Sequence, residues 1–278
     1  NFHNHSIFSS LQATTSLSAL VKIAGEQNFP AVGLVDLGNL MGAFKFVSEI
    51  EKYNGDLKKK IAEIESKEEK TEDDFQLLNK KPLIPILGSE FYISDRPEQK
   101  QFTKDHPDRR TQMVLLAKNF KGYKNLTKLS SLGFLHGFYF GVPRISRAMI
   151  AEYKEDLIAV TSGISGDIPA TILEFGEQKG EELFLWWKET FGADFYVQIQ
   201  NQGLAEEEFV NAVLLKWAEK YQVKILAQNE TFYTSQTDAN IQDIVSCIKD
   251  GEKLSTEIGK GFGRRRGLLT QEYFIKNR

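Results

Sequence analysis

Short apolar runs rich in β-branched residues recur along the chain: Ala31 to Val35, Leu83 to Leu87, Met113 to Leu116, Leu157 to Val160, Phe195 to Ile199 and Val223 to Ala227. Runs of this length, apolar without strict alternation, predict strands buried on both faces, as in a parallel sheet. Between them, Leu17 to Gln27, Met41 to Tyr53, Glu182 to Thr190 and Glu206 to Tyr221 carry apolar residues at helical spacing. The last two are preceded by acidic residues that suit the positive end of a helix dipole. Alternating strands and helices predict an α/β protein, either a barrel or a doubly wound sheet. The strands are many and evenly spread, and mostly followed by polar loops rather than by one glycine-rich dinucleotide turn, which favours a TIM-like barrel of βα units.

Gly55 to Lys81 breaks this rhythm, being dense in alternating charge and poor in large apolar residues. It predicts an exposed helical excursion between one helix and the next strand, either a plain solvated insertion or a docking arm. The tail from Asp250 to Arg278 lacks a closing element and reads as the start of a connection to a further body, with residues 1–278 forming one domain.

Composition narrows the class. With 41% hydrophobic and 26% charged residues the chain is an ordinary globular one, and 278 residues suffice for one large core. A net charge of -3 offers no overall grip on a phosphate backbone. One cysteine excludes an internal disulfide framework, and the absence of a long apolar run or a signal-peptide pattern points to the cytoplasm and away from a membrane.

Candidate chemistry is concentrated at the start. His3 and His5 lie at i and i+2, so on a strand both imidazoles share a face and can meet one metal ion; a hydrogen-bonded polar pair is the plainer alternative. The other histidines are His106 and His136. In a barrel, further ligands would come from the C-terminal ends of later strands. Glu90, following PLIPILGS, and Asp36, following AVGLV, occupy such positions; either could instead be an ordinary strand-end carboxylate that caps a helix N-terminus or satisfies backbone donors, and for Asp36 that is the favoured role.

These residues, with AVGLVDLGNLMGAFKF, PLIPILGSEFYI, QMVLLAKNFKGYKNLTKLSS, GFYFGVPRIS, LIAVTSGISGDIP and ILAQNETFYTSQTDANIQDIVSCI in that order, resemble the PHP (polymerase and histidinol phosphatase) domains, specifically those at the N-terminus of bacterial DNA polymerase III alpha subunits. The resemblance covers nearly the whole chain except the charged insertion. It implies a distorted, seven-stranded barrel with a multinuclear metal cleft at its mouth, followed by a polymerase body absent from this sequence, where magnesium would act. Of nine ligand positions that the resemblance implies, three are kept, at His3, His5 and Glu90. The others fall on Gln12, Leu37, Gln112, Ile164, Glu230 and Phe232, of which Glu230 alone has a metal-binding side chain.

Two or three clustered divalent ions need many anionic or imidazole ligands to offset their repulsion, and leucine, isoleucine and phenylalanine favour a packed cleft instead. The expectation is therefore no catalytic residue and no cofactor of the domain's own, with at most a residual zinc or manganese ion on His3, His5, Glu90 and Glu230. The implied role is structural and partner-docking, within DNA replication. Its partners would be the polymerase body of the same chain, the proofreading exonuclease subunit and other replisome subunits, with DNA reached mainly through the parent protein. The alternative is a metal-dependent phosphoesterase or 3'-5' exonuclease on a reduced His3/His5/Glu90 site. A free-standing phosphatase conflicts with the polymerase-type motifs.

Three further features have plain readings. Arg264 to Arg266 suit either phosphate contact or a solvated turn, and Phe134 to Phe140 suit core or loop packing better than base stacking. Cys247, at helical spacing in IQDIVSCI with no histidine nearby, reads as a buried small residue.

Overall fold

The computed structural model describes residues 1–103 and 107–276, so His106 lies outside the described residues. A first helix, α1 (Leu17–Glu26), is started by the Ser16 hydroxyl, which accepts from Ala19 N at 3.2 Å, and leads into β1 (Ala31–Leu34). Next come α2 (Ala43–Glu65), α3 (Glu72–Leu78), β2 (Ile84–Ile93), β3 (Thr111–Ala117) and α4 (Phe120–Leu135). The order continues with β4 (Arg144–Ile145), α5 (Arg147–Glu152), β5 (Leu157–Val160), α6 (Asp167–Phe175) and α7 (Glu177–Phe191). It ends with β6 (Phe195–Ile199), α8 (Ala205–Tyr221), β7 (Lys224–Ala227) and α9 (Ala239–Asp250).

The strands form one curled seven-stranded sheet in the order β1-β2-β3-β5-β6-β7, with β4 beside the end of β2. This is the α/β, TIM-like architecture expected, with one correction. β3 runs antiparallel to both its neighbours, β2 and β5, while the other pairings are parallel. A hydrophobic run records burial on both faces, which an antiparallel strand inside a barrel shares, and so carries no direction.

Pleating then sorts the side chains. On β3, Met113 and Leu115 face the outer helices, packing with Phe184, Trp187, Leu214 and Trp217, while Val114 and Leu116 face inward with Phe2, Val35 and Val160. On β2, Phe91 and Ile93 belong to the outer core, which puts Glu90 on the inner face.

The N-terminal segment closes the ring between the edge strands. Gly33 N and Val35 N donate to Asn1 O and Asn4 O at 3.1 and 2.9 Å, and on the other side Thr231 N donates to His3 O at 3.0 Å and His5 N to Thr231 O at 2.9 Å. Gly33 permits this approach, since a Cβ there would lie 2.4 Å from Phe2 Cα.

The charged insertion differs from expectation in one respect. Instead of a helix ending near Tyr53 and a separate excursion, α2 runs unbroken to Glu65, because Ile50, Leu57 and Ile64 at seven-residue spacing keep one buried stripe beneath the charges. It hands over to α3, whose capping box pairs Thr71 and Asp74. Among the described residues no helix is long and apolar enough to cross a membrane.

Candidate metal centre

Four side chains from three separate parts of the chain converge inside one end of the barrel: His3 and His5 from the closing segment, Glu90 from β2, and Glu230 from the loop after β7. Each offers a ligand atom, and these atoms all lie within 4.8 Å of one another. His3, His5 and Glu90 are fully buried, and Glu230 is 13% exposed. Glu90 Oε2 is 3.3 Å from His3 Nε2 and 3.1 Å from His5 Nε2, and Glu230 Oε1 is 3.4 Å from His5 Nε2. The Ser162 hydroxyl donates to Glu90 Oε1.

The expected route for Glu90 needs correction. It sits within β2, not beyond its end, and its aim into the barrel comes from the pleat.

The electrostatics follow from burial. Burial alone would lower the His5 pKa, yet its contacts with Glu230 and Glu90 raise it to about 10. Burial would likewise raise the Glu90 carboxyl, but the His3 and His5 imidazoles hold it well below the usual carboxylate range. Among the described residues neither ring nitrogen of His5 finds a well-formed hydrogen bond, although the ring is fully buried and stacks on Phe232 at 4.7 Å. Buried polar atoms left without partners are uncommon, and two carboxylates facing two imidazoles with an orphaned nitrogen between them fit a cation.

Asp36 is a different kind of carboxylate. It is buried and accepts from Ser6 N at 2.7 Å, Ser6 Oγ at 2.8 Å and Ser9 Oγ at 2.7 Å, which is the donor-satisfying role expected of it.

Other residues singled out in the sequence lie outside the cluster, most of them at its mouth. Gln12, Leu37, Gln112 and Phe232 share a cavity of about 390 Å³ with Glu230, while Ile164 lines a separate crevice beside Gln198 and Gln200. The mouth is crossed by α9 and by the segment that follows it. Gln242 Nε2 donates to Gln12 O at 2.7 Å, Lys249 Nζ donates to Gln12 Oε1, and Phe232 N donates to Tyr273 O at 2.9 Å.

Residues 1–202 match the family model described as PHP domain. The chain belongs to the PHP domain family. It is 32% identical over 277 residues to the DNA polymerase III subunit alpha of Borreliella burgdorferi, 31% over 255 residues to that of Aquifex aeolicus and 28% over 280 residues to that of Treponema pallidum. These alignments take in 100%, 90% and 100% of this chain but 21%, 19% and 21% of those proteins. The PHP chain thus spans about a fifth of the length of the relatives it matches.

Other sequence features resolve into structure. Arg265 pairs with Asp243 and donates to Thr256 O at 2.8 Å, and Arg266 lies 3.4 Å from Asp250, so two of the three arginines are engaged within the fold. Cys247 is buried on α9, as expected. Phe134, in the last turn of α4, and Phe138 and Phe140, on the loop that follows, are exposed, with Phe134 and Phe138 stacked at 5.7 Å.

The sequence reading missed Gln198, Gln200, Gln202 and Glu207, which form a buried polar chain leading to His3. Their signal was available: in FYVQIQNQ, glutamines recur at every second position, all on the inward side of β6 and its extension.

Proposed function

We propose that this chain is the PHP portion of a bacterial DNA polymerase III alpha subunit, and that it holds one divalent ion as a structural centre and serves the polymerase as scaffold and docking module. The observation that carries this reading is the pairing of a complete four-residue cluster with a mouth whose other ligand positions are glutamine, leucine and phenylalanine under α9. Catalytic zinc sites keep one position for water beside three protein ligands, whereas structural sites use four. If His3, His5, Glu90 and Glu230 each give one atom, none is left open to substrate.

Such an ion, zinc or manganese, would supply a charge that ties the closing segment to β2 and to the loop after β7. His3 and His5 would offer nitrogens, Glu90 and Glu230 oxygens, and Phe232 would shield one face of the His5 ring. A multinuclear cleft is disfavoured, since Leu37, Ile164 and Phe232 bring no charge to offset a second ion. The partners in this reading are the polymerase body of the same chain and the proofreading exonuclease subunit, with residues 250–278 beginning the connection to that body.

Elemental analysis of the purified chain tests the reading. One zinc or manganese per chain, lost in Glu90→Gln, with no phosphoester hydrolysis above background, is the expected result. Two or more ions together with hydrolysis that vanishes in His5→Ala would replace it by the phosphoesterase or exonuclease alternative. That alternative draws on the mouth cavity itself, where Lys249 and Arg266 line the space beside Glu230. Retention of the proofreading subunit on the immobilised chain tests the docking role, and no retention would remove that part.

A further inference from the structure

The polar chain behind His3 has a direction that can be worked out from its two ends. Glu207, 2% exposed at the start of α8, accepts from Gln202 N at 2.7 Å and Leu204 N at 3.2 Å. Backbone N–H groups only donate, so this carboxylate is an acceptor. The Gln200 amide lies 2.9 Å from Glu207 Oε1 and must present its nitrogen there. Gln202 fixes the same choice independently. Its Nε2 donates to the backbone oxygen of Glu230 at 2.7 Å, which turns its own Oε1 toward Gln200 Nε2 at 3.2 Å.

With both hydrogens of Gln200 Nε2 committed, its Oε1 faces Gln198 and accepts from Gln198 Nε2 at 3.0 Å. The Gln198 amide is thereby held in one orientation, edge-on to His3 Nδ1, with its Oε1 at 3.0 Å and its Nε2 at 2.9 Å. Two protonation patterns fit those distances. If Nδ1 accepted from Nε2, the buried Gln198 Oε1 would have no donor among the described residues. If Nδ1–H donates to Oε1, that oxygen is satisfied and Nε2 still has its bond to Gln200. A buried carbonyl left wholly unpaired is costly, which favours the second pattern. Gly163 is cut to the same arrangement, since a Cβ there would lie 2.6 Å from Gln200 Nε2.

We propose that Glu207, Gln200 and Gln198 act as a positioning relay for His3, fixing a hydrogen on Nδ1 so that Nε2, the nitrogen that faces Glu90, is the one that takes up a cation, a proton in the metal-free chain and the metal ion when it binds. This deepens the single-ion reading and rests on it for the identity of that cation. The positioning residues never touch the ion. Their effect is to choose which nitrogen of His3 takes up the cation and to hold the ring at one angle, as outer partners of metal-ligating histidines do.

The test uses the whole chain labelled with 15N-histidine, with nitrogen shifts read metal-free and with zinc, and zinc affinity measured by calorimetry. The expected result is a protonated Nδ1 on His3 in both states, with zinc shifting Nε2. Affinity should fall about 10–100-fold in Gln200→Leu, a residue two hydrogen bonds from His3. Glu207→Gln, nearly isosteric and able to keep a backbone acceptor, guards against simple misfolding and should displace the His3 nitrogen shifts in the metal-free protein. Finding His3 protonated on Nε2 with a bare Nδ1, or wild-type shifts and affinity in both folded variants, overturns the relay while leaving the ion in place. If the wild-type chain takes up no zinc, the single-ion reading falls, and the metal-free shifts of wild type and Glu207→Gln still decide the relay.

Discussion

Asp36, just past the end of β1, and Glu90, on β2, stand almost side by side, linked by a bridge from Leu37 to Glu90, and both carboxylates are buried to about 1% exposure or less. Their surroundings differ in kind. Asp36 is surrounded by donors with nothing else to do: a backbone N–H and the hydroxyls of Ser6 and Ser9. Glu90 faces His3 and His5, basic nitrogens that bind metals as readily as protons, and one of these rings has no good hydrogen bond at either nitrogen. A buried carboxylate with dedicated neutral donors is complete within the fold. One that shares its space with imidazoles and a second carboxylate, Glu230, is balanced only by positive charge among them, whether a proton held on an imidazole or a metal ion.

The largest effect that would sharpen this contrast is on stability. Asp36→Ala should cost about 3–5 kcal/mol in denaturant unfolding, because it strands the Ser6 backbone N–H and two buried hydroxyls at once. The loss should be the same with and without zinc. A cost under about 1 kcal/mol, or one that zinc repairs, would put Asp36 in the ion's environment and erase the distinction.

Zinc itself comes next. At a free concentration one hundred times its Kd, an ion bound only by the folded chain adds about 2.7 kcal/mol. Wild type should show that gain and Glu90→Gln should not, since the amide removes the charge while keeping the shape. Equal gains in both chains would mean that the ion sits elsewhere.

How far the sequence foretold this contrast depended on what each residue's neighbours revealed. His3 and His5 were legible because spacing of two on a strand fixes a common face, and burial of both follows from the closing segment they occupy. Glu90 was legible as a residue but not in its route, because a strand prediction that stops at Leu87 cannot show six more residues of pairing with β3. Glu230 carries no local signal; it precedes a bridge from Asn4 to Thr231 that only the closed barrel makes. The reversal of β3 was equally hidden, since direction resides in long-range pairing. The glutamines at 198, 200 and 202 were hidden for an opposite reason: their alternation is plain, but alternating polar residues ordinarily mean a solvent face, and only closure of the sheet turns that face inward.

A pH series probes the same pair of carboxylates more finely. The His5 pKa is raised in the folded chain to about 10, from an ordinary value of 6.5. Between those values the unfolded chain has shed the proton that the folded chain keeps, so metal-free stability should be full below about pH 6.5 and decline as pH rises toward 10. The slope should be at most about 1.4 kcal/mol per pH unit. His5→Gln should flatten it, and saturating zinc, which takes the proton's place, should do so as well. Asp36→Asn should leave the slope untouched, as its donors do not titrate in that range; a flattened slope there would couple the two sites.

The smallest expected effect lies at the mouth. Lys249 reaches Gln12 from α9, and Gln12 lines the mouth cavity beside Glu230. The lysine head stands outside the His3, His5, Glu90 and Glu230 cluster, so Lys249→Met removes one exposed hydrogen bond from the covering layer and no ligand. Stability should change by no more than about 0.5 kcal/mol, as for an ordinary surface substitution, and zinc affinity should stay within about twofold of wild type. Calorimetry on the folded variant reads both. A tenfold change in affinity, equivalent to about 1.4 kcal/mol, would show that the mouth acts on the ion, and the division between a self-sufficient inner cluster and a packed outer layer would have to be abandoned.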